Sequence, residues 1–227
     1  MVRHTAATRR PEPVMPVFQA SSMSDLCRFP ARPEPLARLG RKPLDGAESV
    51  FAPLTRKPFG ITARVGRQSA HADIEAALTR EVPGPVRGMP FMAVWLRDMV
   101  AICRLFCAML DSEAVGFRLG TQRTCRRYHM DDVPFRLLVT YRGRGTEWLP
   151  GEAVDLHAYE TGAPNEEIVR DPDNLETLNP WDIAVFRGAP NGLLHRTPEA
   201  ALSGGSILMR LDPPSFWDRV LAPHFKA

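Results

Sequence analysis

The chain has only four cysteines in 227 residues, Cys27, Cys103, Cys107 and Cys125. They form no C-x-x-C pair and no even framework of spacings, so a disulfide-stapled secreted module is excluded and a reducing compartment is expected. The first thirty residues lack the continuous apolar core of a secretory signal, and no apolar window reaches the length of a membrane span. A cytoplasmic protein with no membrane partner is the expectation. Internal repeats are absent, as are G-x-G-x-x-G and G-x-x-x-x-G-K, which disfavours a nucleotide-binding sheet. The basic residues are not interleaved with aromatics, so there is no strong nucleic-acid signal. The sequence carries no readable code for oligomeric state or for a substrate, whether small molecule or protein.

Hydrophobic residues make up 44% and charged residues 24%, close to the globular average, and the length suits one well-buried domain with extensions. Of the 22 prolines, nine fall at or before Pro58, among Arg3, Arg9, Arg10, Arg28, Arg32, Arg38, Arg41 and Lys42. Through residue 45 there are eight basic and four acidic residues, leaving 21 and 22 for the rest, so the formal +3 resides in this segment. Proline removes donors and biases its neighbours toward extended geometry. Three regions follow: a Pro/Arg-rich, partly extended segment over 1–58 with a short ordered piece near Leu36 to Leu39, a helical flank over 59–114, and a β-rich core over 115–227.

In the flank, Ile74, Ala77 and Leu78 predict a short helix over 69–82, ended by Pro83-Gly84-Pro85. Phe91, Val94, Trp95, Ile102, Leu105, Phe106 and Met109 recur at spacings of three, four and seven and predict a long helix opened by Pro90. Cys103 and Cys107 lie one turn apart on it among apolar neighbours, which makes them buried small hydrophobes rather than ligands. From Val115 the period changes to two. Strands are predicted over 115–119, 126–130, 136–141, 147–149, 154–157, 183–187, 192–196 and 206–211, separated by turn residues. Helices followed by many short strands read as an α+β chain whose main unit is an antiparallel barrel or jelly roll.

His129-Met130-Asp131 heads one of these strand-like runs. Residues two apart on a strand share a face, so His129 and Asp131 look the same way while Met130 looks the other. A third ligand must come from a distant strand, and His195, beyond the apolar run that ends at Arg187, is the candidate. Two histidines and one carboxylate on one side of an iron leave the opposite positions open for a co-substrate and dioxygen. Asp132 would face away, and Asp155-Leu156-His157 is a second pair of ligand type without an evident third partner. Trp148 and Trp181 fit either a pocket lining or a barrel core, and Arg126, Tyr141 and Glu147 are candidates to hydrogen-bond a ligand.

Over roughly 125–212 the chain resembles the iron- and 2-oxoglutarate-dependent dioxygenases of the double-stranded β-helix type. The resemblance lies in His129-Met130-Asp131, in Arg136-Leu137-Leu138-Val139-Thr140-Tyr141, in Leu178-Asn179-Pro180-Trp181-Asp182, where that family commonly has Pro and Gly-Asp, and in His195-Arg196-Thr197-Pro198. It implies a jelly-roll (cupin-like) core preceded by helices, with Fe(II) on His129, Asp131 and His195, 2-oxoglutarate as co-substrate, and hydroxylation of a substrate by dioxygen. That family places Gly, any residue, then Arg or Lys on the strand after the distal histidine, the cation binding the far carboxylate of 2-oxoglutarate. Here Gly204-Gly205-Ser206 stands at that point, and Arg210, four residues on and on the same side by the two-residue period, is the substitute. Arg210, Tyr141 and Ser206 are therefore the co-substrate candidates. The wording around Cys125-Arg126-Arg127-Tyr128-His129, Gly145-Thr146-Glu147-Trp148-Leu149-Pro150 and Leu194-His195-Arg196 also resembles a bacterial domain-of-unknown-function family, some members of which are encoded near zinc-homeostasis genes. That resemblance implies zinc as the alternative metal and non-catalytic metal handling or sensing as the alternative role.

Overall fold

The computed structural model describes residues 17–203 and 205–216. Gly204 and the first part of the Pro/Arg-rich segment, with Arg3, Arg9 and Arg10, lie outside the described residues, as does the end of the expected core from residue 217. The strands are β1 (Val17–Ala20), β2 (Leu36–Leu39), β3 (Gly60–Gly66), β4 (Ala114–Gly120), β5 (Phe135–Arg142), β6 (Glu147–Trp148), β7 (Glu176–Thr177), β8 (Ile183–Arg187), β9 (His195–Arg196) and β10 (Ile207–Asp212). The helices are α1 (Met23–Leu26), α2 (Ala47–Leu54), α3 (Ala70–Glu81), α4 (Gly84–Arg87), α5 (Pro90–Met109), α6 (Leu156–Glu160) and α7 (Asn165–Ile168).

A seven-stranded sheet runs in the order β1-β2-β8-β5-β10-β4-β3, antiparallel except for the β1–β2 pair. A second sheet runs β7-β6-β9, and His129 bridges to His195 at its edge. From β4 onward the chain alternates between sheets: β4 in the large one, the His129 segment in the small one, β5 large, β6 and β7 small, β8 large, β9 small, β10 large. That alternation of antiparallel strands between two facing sheets is the jelly roll, or double-stranded β-helix. With the helices before and against it, the fold is α+β.

Both faces of the large sheet are covered, which is why β5 and β8 read as near-continuous apolar runs. One face packs on α2, α3 and α5 through Val115, Phe117, Leu137, Val139, Ile183, Val185, Met209 and Leu211. The opposite face carries Leu36, Leu138, Ala184 and Phe186 against Trp148, Leu178 and Leu193 from the small-sheet side. Helix α5 begins with Pro90 at its first position, where a missing N–H costs nothing. It buries Trp95, Met99, Ile102, Cys103, Phe106 and Cys107, so both cysteines are core residues. Burial raises the Cys103 thiol well above its ordinary range and raises Cys107 as well.

Three local expectations need correction. Residues 154–157 form no strand: Val154 makes an isolated bridge to Val169, and Asp155 caps α6 by accepting from the Ala158 N–H at 3.0 Å. The local hydrogen bond that Asp offers a helix start outweighs the alternating pattern. The expected strand over 126–130 contracts to the His129 bridge. Residues 60–66, placed in the helical flank by sequence, form β3 on the outer edge of the sheet. Near Leu36 the ordered piece is β2, which pairs with β8 inside the large sheet.

Candidate metal centre

His129 and His195 face each other as a reciprocal backbone pair, each N–H donating to the other's carbonyl at 3.1 and 3.0 Å. The antiparallel pairing puts both rings on one side of the small sheet, with centroids 4.6 Å apart. Asp131, two residues beyond His129, is fixed by its carbonyl, which accepts from the Ala189 N–H at 2.9 Å. Gly188 makes that approach possible, because a Cβ there would run into the carbonyls of Val133 and Asp131. His129, Asp131 and His195 therefore offer three ligand atoms within 4.8 Å of one another.

The protonation pattern prepares these atoms for a metal. His129 Nδ1 lies 3.0 Å from the Arg127 carbonyl and His195 Nδ1 lies 3.1 Å from the Leu193 carbonyl. A carbonyl only accepts, so each Nδ1 carries a proton, and Nε2 is the nitrogen that each ring in its neutral form offers to a metal. His195 Nε2 sits 3.5 Å from Asp131 Oδ2, and His129 Nε2 sits 3.8 Å from Asp131 Oδ1. Burial, assisted by the neighbouring His129, pushes His195 down to about 3, so it is neutral at physiological pH.

Asp131 is 1% exposed. Its Oδ1 accepts from Arg136, whose Nε donates to Asp212 Oδ1 at 2.7 Å, while Arg210 Nε donates to Asp212 Oδ2 at 2.6 Å. Asp131 Oδ2 has no hydrogen-bond partner. A buried carboxylate oxygen without a donor is costly, and a divalent cation between this oxygen and the two Nε2 atoms would remove that cost. The donor set suits Fe(II) or Zn(II), with carbonyls orienting the histidines and Arg136 orienting the carboxylate.

A cavity opens beside this cluster, lined in part by His129, His195, Cys125 and Arg210. Of the co-substrate candidates, only Arg210 reaches its wall, with Nε held by Asp212. Ser206 is fully buried behind Arg123, whose guanidinium donates to Ser206 Oγ at 3.3 Å. Tyr141 points away: with Leu137 and Val139 it lies on the helix face, its hydroxyl donating to Asp98 Oδ2 at 2.9 Å. The two-residue period that puts Arg136 and Leu138 toward the small sheet turns Tyr141 from it.

Glu147 is engaged by Arg196 Nε at 2.6 Å and by the Tyr128 hydroxyl. Arg126, Asp132 and His157 are exposed, Trp148 packs with Leu178 and Phe186, and Trp181 packs edge-on against Tyr141. Trp181 adopts φ +73°, the left-handed region that favours glycine, at the position where the resembled family commonly has Gly. Cys125 is exposed at the cavity, and the His129 side chain beside it pulls its thiol down to about 7.

Arg123 is not marked out by the sequence. It lies between β4 and His129, is 8% exposed and lines the cavity. Nothing in the sequence separates it from nearby Arg126 and Arg127, which the structure leaves in solvent.

Three solved structures are similar at low identity. A bsmA homolog from Methylobium petroleophilum PM1 is 9% identical with a TM-score of 0.45, covering 85% of this chain and 93% of that one. AviO1 from Streptomyces viridochromogenes Tue57 is 13% identical with a TM-score of 0.39, covering 86% and 97%. A full-length Neurospora crassa protein in complex with alpha-KG is 11% identical with a TM-score of 0.41, covering 93% and 88%. A search of curated proteins finds no match. A family model described as "Protein of unknown function (DUF1826)" matches residues 36–212, from β2 through β10 and so across the jelly roll and all three candidate ligands, and the chain belongs to that family.

Proposed function

We propose that the protein is an Fe(II)-dependent oxygenase that uses 2-oxoglutarate and dioxygen to hydroxylate its substrate. The observation that carries this reading is the convergence of two imidazole Nε2 atoms, each ring held through Nδ1 by a backbone carbonyl, with the unpartnered Asp131 Oδ2. His129, Asp131 and His195 would hold the iron and leave the cavity side open to exchangeable ligands. Bound there, Fe(II) with 2-oxoglutarate supplies the activation of dioxygen that a protein side chain cannot perform. The chain's own part is orientation and charge. The Arg127 and Leu193 carbonyls fix the imidazole tautomers, and Arg136 fixes the carboxylate. The arginines along the cavity favour an anionic co-substrate. Phe186, 4.3 Å from the His195 ring between centroids, shields one side of the centre from water.

Anaerobic addition of Fe(II) and then 2-oxoglutarate tests the proposal. A visible charge-transfer band is expected with the wild type and is lost in His129→Ala. Avid zinc binding with no such band would contradict it. One observation favours a second reading, a zinc-binding protein that handles or senses the ion: Cys125, a thiol with depressed pKa, lies beside His129 on the same cavity, and thiolate suits zinc.

A further inference from the structure

Five arginines line the cavity beside the candidate metal centre: Arg118, Arg123, Arg136, Arg196 and Arg210. Arg136 is paired with Asp131 and Asp212, Arg210 with Asp212, and Arg196 with Glu147. Three carboxylates thus face five guanidiniums, so the wall is electropositive before any metal binds. Arg123 is the one that is both deeply buried and without a carboxylate in ion-pair reach among the described residues. Its contacts are neutral oxygens: one terminal nitrogen donates to the Arg144 carbonyl at 3.2 Å and to Ser206 Oγ at 3.3 Å, and the other donates to Thr146 Oγ1 at 3.2 Å. Nε has no partner. Burial lowers this guanidinium to about 10, which leaves it charged at neutral pH.

A role confined to tying the 143–146 turn to Ser206 would not need a charge, because all three acceptors are neutral. Burying an uncompensated cation is expensive, and the expense disappears once an anion enters the cavity. The cavity volume of about 60 Å³ corresponds to roughly four to six water-sized spheres, which is room for a small organic anion. His129 and His195 line the same space.

We infer that Arg123, reached from the loop between β4 and His129, receives a carboxylate of a small organic dianion whose other end lies at His129, Asp131 and His195. The assignment of that other end rests on the proposed metal centre; the carboxylate end stands on Arg123 alone. Arg123 is a binding residue here, and Arg210, held by Asp212, is a neighbour on the wall. For the proposed reaction, the far carboxylate of the 2-oxo acid then meets a residue ahead of the first histidine and not one on β10.

The test uses glutarate, a dicarboxylate without a keto group, titrated calorimetrically into the protein before and after chelator treatment. Wild type is expected to bind it in both forms, with affinity about ten- to a hundred-fold weaker in Arg123→Met. Arg123→Gln keeps a donor and removes the charge, and it should lose binding as well if charge is the cause. Glutarate should raise the melting temperature of wild type and of Arg210→Met, but not of Arg123→Gln, a readout that a purely structural arginine would not give. Equal binding by Arg123→Gln and wild type, no binding by wild type, or loss only in Arg210→Met would each overturn the inference. In the iron-loaded protein, 2-oxoglutarate should weaken in Arg123→Gln while pyruvate, which lacks the far carboxylate, should not. Metal binding that fails while glutarate binding persists sinks the metal reading alone; metal binding that persists with glutarate indifferent to Arg123 sinks this inference alone.

Discussion

The two faces of the seven-stranded sheet are both buried but differ in kind. On the helix face Arg41 donates to Asp98 at 2.5 Å and Tyr141 donates to the same carboxylate at 2.9 Å, so a half-buried carboxylate is met by a cation and a hydroxyl. Around them Phe51, Trp95, Tyr141 and Trp181 pack with centroids 4.8 to 6.2 Å apart, within the range of favourable aromatic geometry. On the cavity face the sheet meets His129, Asp131 and His195, and there Asp131 Oδ2 and Arg123 Nε lack partners. The contrast teaches where to look for chemistry. An ion pair and a tyrosine hydroxyl inside an aromatic layer hold the fold there, with only the neutral Trp95 Nε1 of that layer left without a partner, whereas a buried acid oxygen and a buried cation, both ionic and both in one wall, are prepared for something that binds.

Substitutions on the two faces should separate stability from metal binding. Trp181→Ala should cost about 3–5 kcal/mol of stability, as large aromatic truncations in cores do, and chemical denaturation measures it. Metal stoichiometry of the folded fraction should not change. A loss below about 1 kcal/mol would mean that the aromatic layer is not the support described. Asp131→Asn should weaken metal binding at least about 100-fold, since even loss of an orienting group behind a ligand costs 10- to 100-fold; equilibrium metal titration reads it. Divalent metal at a hundred times its Kd should stabilise wild type by about 2.7 kcal/mol and His195→Ala not at all, as thermal melts with and without chelator would report. Smallest is Tyr141→Phe: removal of one hydroxyl from the Asp98 network should cost about 1 kcal/mol and leave metal affinity untouched. A shift in metal affinity there would contradict its placement on the helix face.

The site was more legible in the sequence than its surroundings. His129, Asp131 and His195 announce themselves because strand periodicity and the distance to the next apolar run constrain where a third ligand can arise. The long helix was legible for a similar reason, its apolar residues keeping one spacing from Phe91 to Met109. Tyr141 was misplaced because β5 is buried on both faces: with apolar residues at every position from Leu137 to Val139, alternation no longer says which side faces the small sheet. The charge on Arg136, one residue ahead of that run, was the available clue, since a buried arginine must meet acids, here Asp131 and Asp212. β3 was hidden because Gly60, Thr62 and Gly66 dilute its pattern. Arg123 could not be singled out, because what distinguishes it from Arg126 is burial, a tertiary property.

His129, Asp131 and His195 together are proposed to hold one divalent metal ion. The most direct measurement is metal content per folded chain after anaerobic reconstitution with Fe(II), compared between wild type and single alanine variants at the three positions. One equivalent in wild type and none that survives desalting in any of the variants is the predicted result; retention of a full equivalent in Asp131→Ala or His195→Ala would contradict it.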